Sequence, residues 1–138
     1  MILAVDISVS ENNVKKCGCC LYDDLNCKIT NWFSIDLVPL IYKIVENKWE
    51  VIFEDSNLVK SNWHGRAGAQ NVGKNKSACV IFKQFLEYHN IKHKNIPPNG
   101  YSQFFKDKEF FKKLTDIEKV PNSDVRAAIA IIYKNYNM

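Results

Sequence analysis

Acidic residues follow short runs of strand-forming residues at two places in the chain. Asp6 comes directly after residues 2–5, and Glu54 ends residues 49–54, while a third acid, Asp124, opens an amphipathic segment near the end. A carboxylate beside a buried strand is costly unless something compensates its charge. Divalent cations do so, because they bind hard oxygen ligands. Two such ions, about 3.5–4 Å apart, can activate a water and stabilise a leaving oxygen, so these acids predict a metal-dependent, phosphodiester-cleaving enzyme.

Hydrophobic periodicity predicts the elements that must position these acids. Strands are predicted at about 2–5, 15–22, 27–34, 49–54 and 91–96, and helices at about 37–48, at 70–90 and after Asn122, with an irregular loop at 55–69. The first three strands form a meander, and the following helix crosses over to the fourth strand. A β-α-β unit of this kind places strands one and four side by side if the crossover returns to the central strand, and Asp6 and Glu54 would then lie at the same end of the sheet.

Length and composition limit the class of protein. The chain has 138 residues and a mass of 16.0 kDa, which fits one domain spanning residues 1–138. Hydrophobic residues make up 46% and charged residues 25%, which are ordinary globular values. No apolar stretch approaches the roughly 20 residues of a membrane helix, and the first residues lack the features of a secretory signal. We therefore expect a cytoplasmic protein that has no membrane partner and, since no nucleotide-binding motif is present, no small-molecule cofactor.

Four of the five cysteines crowd into one predicted hairpin, at Cys17, Cys19, Cys20 and Cys27. A zinc site is one interpretation, but the C-x-x-C spacing occurs once and no second pair or nearby histidine completes a tetrahedral set. We interpret these cysteines as small buried strand residues.

Basic residues outnumber acidic ones by 19 to 15, for a net charge of +4. Two clusters stand out, one formed by Lys60, Arg66, Lys74 and Lys76, and the other by Lys106, Lys108, Lys112 and Lys113. Such clusters suit a phosphate backbone, although solvated helix faces have the same composition. Trp63 and Tyr101 fall in predicted loops near the acids and could stack on unpaired bases. Trp63 serves equally well as a lid over the core.

Three segments carry a resemblance to a known family: ILAVDIS, VIFEDSN followed by a glycine-rich loop into a long helix, and KLTDIEKVPNSDVRAAIAIIY. Together they resemble the RuvC-type Holliday-junction resolvases of the ribonuclease H-like superfamily, in their short phage and prophage forms. The resemblance covers almost the whole chain. It implies an α/β fold with a mixed five-stranded sheet, whose first three strands form an antiparallel meander and whose fourth and fifth strands are parallel, flanked by helices.

The resemblance also implies a function. Asp6, Glu54 and Asp124 would bind two Mg²⁺ ions, with Mn²⁺ as a substitute, and Asp6 would bridge them. The substrate would be branched DNA, a four-way junction, cut by in-line attack of water. The family works as homodimers, because a four-way junction has two symmetry-related strands to cut. The exposed side of the 70–90 helix is the predicted dimer interface.

Each acid also has an ordinary structural explanation. Asp6 could cap backbone amides at a strand end, and Asp55 rather than Glu54 could face the site. Asp124 could stabilise the N-terminus of its helix, where the helix macrodipole favours a negative charge.

One position departs from the family pattern. Resolvases of this type carry a second acid three residues after the first on the last helix, and Ala127 occupies that position here. Either the natural protein works with three acids, or this chain carries an inactivating Asp-to-Ala replacement, which is the interpretation we favour.

Two other functions compete with junction resolution. Another ribonuclease H-like enzyme, acting on RNA–DNA hybrids or duplex DNA, would use the same metal chemistry. A catalytically silent nucleic-acid-binding module would bind without cleaving.

Overall fold

A computed structural model describes residues 1–9, 15–58 and 66–136, with the backbone alone for Lys15 and residues 66–75. Its strands are β1 (Ile2–Val9), β2 (Lys15–Asp23), β3 (Lys28–Asp36), β4 (Glu50–Glu54) and β5 (His93–Ile96). Its helices are α1 (Leu37–Asn47), α2 (Arg66–Tyr88), α3 (Tyr101–Phe104), α4 (Lys108–Thr115) and α5 (Ser123–Asn135), and a 3₁₀ turn covers Ser56–Leu58. None of the helices in these ranges has the length and apolar character needed to cross a membrane.

The described strands form one mixed sheet in the order β3-β2-β1-β4-β5. β1 pairs with β2, and β2 with β3, in antiparallel fashion, whereas β1 pairs with β4, and β4 with β5, in parallel. The predicted meander, the crossover from β3 through α1 to β4, and the placement of strands one and four as neighbours are all confirmed.

Alternation of side chains along each strand divides the core between the two faces of the sheet. On one face, Leu3 and Val5 of β1 pack beneath α1 and α2. On the other face, Ile2 and Ala4 pack beneath α5, together with Phe105 and Phe111 from the segments before it. Since α5 is covered from both sides, its residues from Ala127 to Ile132 are all buried.

Several boundaries differ from the sequence prediction. β1 continues to Val9, so Asp6 lies inside the strand rather than at its end, because pairing with β2 extends to the partners Val9 and Lys15. The helix predicted at 70–90 begins at Arg66, inside the predicted loop. The helical backbone there includes Gly68, which costs a helix interior only about 1 kcal/mol.

The basic, aromatic stretch before α5 contains a helix that was not predicted, α4. Asp107 is its N-cap, and its carboxylate accepts hydrogen bonds from the backbone amides of Glu109 and Phe110. An Asp ahead of an amphipathic segment is a start signal that could have been read from the sequence.

The interpretation of the cysteines holds for three of the four hairpin residues. Cys17, Cys19 and Cys20 are buried in β2. For Cys27 the prediction is wrong, because it lies exposed in the turn before β3 with a φ of 53°. A turn that reverses the chain in so few residues places a residue in the left-handed region and turns its side chain to solvent.

Thiol labelling should separate Cys27 from the other cysteines. We expect a disulfide reagent such as DTNB to modify one thiol rapidly in the native protein, because reactivity follows exposure. The Cys27→Ser variant should lose this fast phase, and its remaining thiols should react only as fast as the chain unfolds. A fast phase that survives in Cys27→Ser would contradict the burial of the β2 cysteines.

Candidate metal centre and active site

The acids of β1 and β4 point toward the face of the sheet that α5 covers. Ile2 and Ala4 face α5, so alternation directs Asp6 the same way. On β4, Ile52 faces α5, which places Glu54 on that face and Asp55 on the opposite one. The two strands therefore present one carboxylate each to a common site.

Strand register puts these acids in one row across the sheet. Val5 pairs with Phe53, so the next residues on the two strands, Asp6 and Glu54, lie side by side. On its other side, Asp6 pairs with Gly18 of β2. The first turn of α5 lies over Gly18, which brings Asp124 to the row from above.

The three acids line one pocket of about 250 Å³, together with Ile7, Ser8, Ser56, Cys79 and Ser102. The structure therefore brings Asp6, Glu54 and Asp124 together, as the sequence predicted, while their role as ligands stays a prediction. No cationic side chain of the described part of the chain lines this pocket. Larger cavities, of about 570 and 480 Å³, lie elsewhere and contain no comparable group of acids.

Burial and mutual repulsion dominate the electrostatics of the site. Burial raises the pKa of the Asp6 carboxyl well above its ordinary value, and the charges of Glu54 and Asp124 raise it further. Burial also raises the pKa of Glu54 and of Asp124. A shift of this kind means that the folded protein disfavours the ionised form. When the three carboxyls are ionised, the described side chains that line the pocket do not neutralise their negative charge.

The donor set fits a divalent cation such as Mg²⁺, since it supplies hard carboxylate and hydroxyl oxygens and an excess of negative charge. Within the described residues, however, no three His, Cys, Asp or Glu side chains are grouped closely enough to hold a metal ion. A carboxylate-rich pocket without a close group of three ligands is consistent with Mg²⁺ coordination. Mg²⁺ usually keeps several waters and is bound by one or two carboxylates plus substrate phosphates, rather than by protein ligands alone.

Asp55, the alternative to Glu54, is engaged elsewhere. Its carboxylate accepts hydrogen bonds from the side chain of Asn95 at 3.0 Å and from the backbone and side chain of Asn57, both at 2.9 Å. Burial by itself raises the pKa of Asp55, but these hydrogen bonds outweigh it, so the pKa lies below its ordinary value. Asp55 therefore ties the end of β4 to β5 and to the 3₁₀ turn, and Glu54 is the acid that faces the pocket.

Four polar residues of the pocket were not predicted: Ser8, Ser56, Cys79 and Ser102. The Cys79 thiol lies 3.8 Å from the Ser56 hydroxyl and 3.7 Å from the backbone oxygen of Glu54. Nothing in the spacing of these residues could have linked them, because they come from four different elements. Ser8 is an exception, since it is two residues from Asp6 and therefore on the same face of β1.

Ala127 lies one helical turn after Asp124, on the same side of α5, and is 2% exposed. A carboxylate at this position would be buried close to the three acids.

The predicted DNA-contact residues fall in three groups. Lys60 and Trp63 lie outside the described residues, and Arg66 and Lys74 lie on α2, where the backbone alone is described. Lys76 is partly exposed on α2, and Lys106 and Lys108 are exposed around the start of α4.

The prediction that Tyr101 stacks on bases is wrong. Tyr101 begins α3, is 4% exposed, and its hydroxyl accepts a hydrogen bond from Asn135. Its ring packs beside α5 as part of the core, so it offers no free face to a base.

Known proteins were compared with this chain by sequence and by structure. The sequence matches no protein-family profile and no curated protein. Among the solved structures that match, two RuvC structures each cover 94% of the chain. One is RuvC of Thermus thermophilus in complex with a Holliday junction substrate, with a TM-score of 0.51, 13% identity and 88% of that chain covered. The other is a Thermus thermophilus RuvC structure, with a TM-score of 0.55, 11% identity and 89% covered.

This chain has a RuvC-like fold. The similarity spans nearly the full length of both proteins, so the match includes the sheet and α5 rather than a single β-α-β unit. The predicted ribonuclease H-like class, with a mixed sheet flanked by helices, is therefore confirmed. At 11–13% identity the RuvC-like fold is shared without detectable sequence similarity, so residue roles must be argued from the pocket itself.

The repulsion within the pocket predicts a gain in stability when a charge is removed. Because the pKa of Asp6 is raised on folding, its ionised form destabilises the native protein at any pH above its unfolded pKa. At neutral pH, without divalent cations, Asp6→Asn should therefore unfold at a higher urea concentration than the parent chain. The difference should shrink as the pH falls and Asp6 becomes protonated in both states. An Asp6→Asn variant that is less stable at neutral pH would show that the carboxylate is compensated by the protein.

Proposed function

We propose that this protein is a Mg²⁺-dependent endonuclease that resolves four-way DNA junctions. The observation that carries the proposal is the convergence of Asp6, Glu54 and Asp124 on one polar pocket of a RuvC-like sheet. A structural neighbour with this fold is in complex with a Holliday junction substrate.

The three carboxylates would hold two Mg²⁺ ions, with Mn²⁺ as a substitute. Asp6 lies between the other two acids, so it would share the ions with Glu54 and with Asp124. When bound, the ions would supply an activated water and stabilise the leaving oxygen of the phosphodiester. The Ser56 and Ser102 hydroxyls can donate hydrogen bonds to the non-bridging oxygens of the phosphate. No protein nucleophile is needed for this direct hydrolysis.

The segment from α3 to α4 would guide the DNA backbone to the pocket. Ser102 of α3 lines the pocket, and Lys106 and Lys108 follow it on the surface. Arg126 of α5 fixes this segment, because its guanidinium donates to the backbone oxygens of Phe105 at 3.1 Å and Lys106 at 3.3 Å. A row of lysines held beside a hydrolytic pocket suits the phosphates on either side of the cut.

The dimer that a four-way junction requires would form through an apolar groove between α1 and α2. Val38, Tyr42 and Val45 of α1 and Phe85 of α2 are exposed along this groove, which has a volume of about 480 Å³. Exposed apolar side chains grouped in this way are typical of protein–protein contacts. This surface lies on the opposite face of the sheet from α5, so pairing through it would leave the acidic pocket of each copy open to DNA.

Cleavage assays on labelled four-way junction, duplex DNA and RNA–DNA hybrid, with and without Mg²⁺, test the function. The assays use the parent chain and its Ala127→Asp counterpart, and in whichever of them cleaves we expect junction cleavage that requires Mg²⁺. Adding Asp6→Asn or Glu54→Gln should lower this cleavage at least about 100-fold, since bound metal contributes several kcal/mol to the transition state. Glu118→Gln, an exposed acid outside the pocket, is the matched control and should cleave like the parent. Preference for hybrid or duplex would favour another ribonuclease H-like enzyme. Binding to the junction with no cleavage by any variant would favour a silent binding module.

Ala127→Asp tests whether this chain carries an inactivating replacement. We expect the variant to bind Mn²⁺ more tightly and to cleave faster, because a fourth carboxylate would join the pocket one turn after Asp124. Without metal it should be less stable than the parent, because an uncompensated charge replaces a buried methyl group. Metal-dependent cleavage that is unchanged or absent in Ala127→Asp would contradict an inactivating replacement at this position.

The dimer is tested by a charge placed in the apolar groove. Phe85→Glu should sediment as a monomer at concentrations where the parent is a dimer, because the interface would then bury an unpaired charge. Leu25→Glu alters an equally apolar residue that is 90% exposed in the turn between β2 and β3, and should leave the dimer intact. If both variants dimerise with the same dissociation constant, the interface lies elsewhere.

A further inference from the structure

We propose that Gly18 of β2 and the hydrogen bond between Ser34 and Asn122 position Asp124 in the acidic pocket. These three residues, here called the α5 contact, fix the first turn of α5 on β2 and β3. The inference rests on the proposed function in one respect, which is that Asp124 is a metal ligand. None of the three residues touches the pocket, so they act as positioning residues.

The α5 contact lies in the same row as the acids. Ser34 pairs with Gly18, and Gly18 pairs with Asp6, so the three residues occupy one line across β3, β2 and β1. Glu54 continues the line on β4, beside Asp6. Ser34 and Gly18 are therefore the residues of the row that contact the start of α5, whereas Asp6 and Glu54 present carboxylates to the pocket.

Gly18 permits an approach that any other residue would block. A Cβ atom placed on Gly18 would overlap the backbone carbonyl of Asp124 and press on the amide nitrogen of Val125. The atoms in the way are backbone, which cannot rotate aside as a side chain can. Glycine inside a strand is typical of places where another backbone comes close. The distance of α5 from the sheet at this point is thus set by the missing side chain.

Asn122 fixes the same turn in a second direction. Its side-chain nitrogen donates to the Ser34 hydroxyl at 3.0 Å, and its side-chain oxygen accepts from the Val125 amide at 3.0 Å. The same residue therefore caps α5 and ties it to β3. Asp124 lies between Asn122 and Val125 along the chain, inside the turn that the Asn122–Val125 hydrogen bond closes, so its backbone has little freedom to shift.

Displacement of this turn would affect the three acids unequally. Asp6 and Glu54 belong to β1 and β4, whose ladders do not depend on α5. Asp124 would move with the helix and leave the other two in place. A damaged α5 contact should therefore resemble loss of Asp124 itself, with weaker cation binding and a sheet that is otherwise intact.

Mn²⁺ binding, followed by electron paramagnetic resonance of the free ion, is the test on the full chain. We expect Gly18→Ala and Asn122→Ala to bind Mn²⁺ about tenfold or more weakly, as is usual when a residue that orients a ligand is lost, and to approach Asp124→Asn. Ile44→Ala is the matched control, because Ile44 is fully buried against the opposite face of the sheet. It should lower the melting temperature while it keeps the affinity of the parent.

Amide hydrogen exchange without metal gives a second measurement that does not depend on the proposed function. Exchange at Val125 and Arg126 should be faster in Gly18→Ala and Ser34→Ala than in the parent, and unchanged relative to the rest of α5 in Ile44→Ala. If the parent binds no Mn²⁺, the proposed function fails, and the exchange rates alone decide whether the α5 contact holds the turn. If Gly18→Ala does not fold, Ser34→Ala and Asn122→Ala decide.

Two results would overturn the inference. One is parental Mn²⁺ affinity and parental exchange in folded variants of the α5 contact. The other is an equal loss of affinity in Ile44→Ala, which would trace the effect to general destabilisation.

Discussion

Repulsion among three carboxylates in a partly buried pocket is the interaction that the rest of the structure must offset. Asp6 shows it most clearly, since burial and then the charges of Glu54 and Asp124 raise its pKa. Because folding raises the pKa of all three acids, each ionised acid costs folding free energy. The continuous buried surface of α5 between Ala127 and Ile132 keeps the helix in place despite this cost. A cation bound among the three carboxylates would relieve this repulsion.

The two faces of the sheet differ in the side chains that they carry. The face beneath α1 and α2 carries a purely apolar cluster, and its exposed edge between those helices offers a further apolar surface. The face beneath α5 carries an apolar cluster that ends in the row of acids. Glu54, the last residue of β4, and Asp55, which follows it, point to opposite faces of the sheet. Glu54 faces the pocket, whereas Asp55 holds Asn57 and Asn95 on the other side.

The sequence predicted the sheet well because its signals are local. Each short apolar run depends on a few neighbouring residues, and the crossover that returns to the central strand then places β4 beside β1. The predicted strand ends were less accurate. β1 runs past Asp6 because β2 continues to pair with it, and pairing between distant residues is not visible in a window of sequence.

By itself the sequence determined which acids are available and, through strand alternation, that Glu54 and Asp55 point to opposite faces of the sheet. The strand register of the folded sheet decided that Glu54 shares its face with Asp6. The tertiary structure decided what surrounds them. Ser56, Cys79 and Ser102 join the pocket from separate elements, Tyr101 is buried, and Gly18 admits the backbone of α5 beside Asp6. Side-chain direction along one strand follows from covalent geometry and can be counted along the chain. The height of a helix above a sheet depends on contacts between residues far apart in sequence, and exists only once the chain has folded.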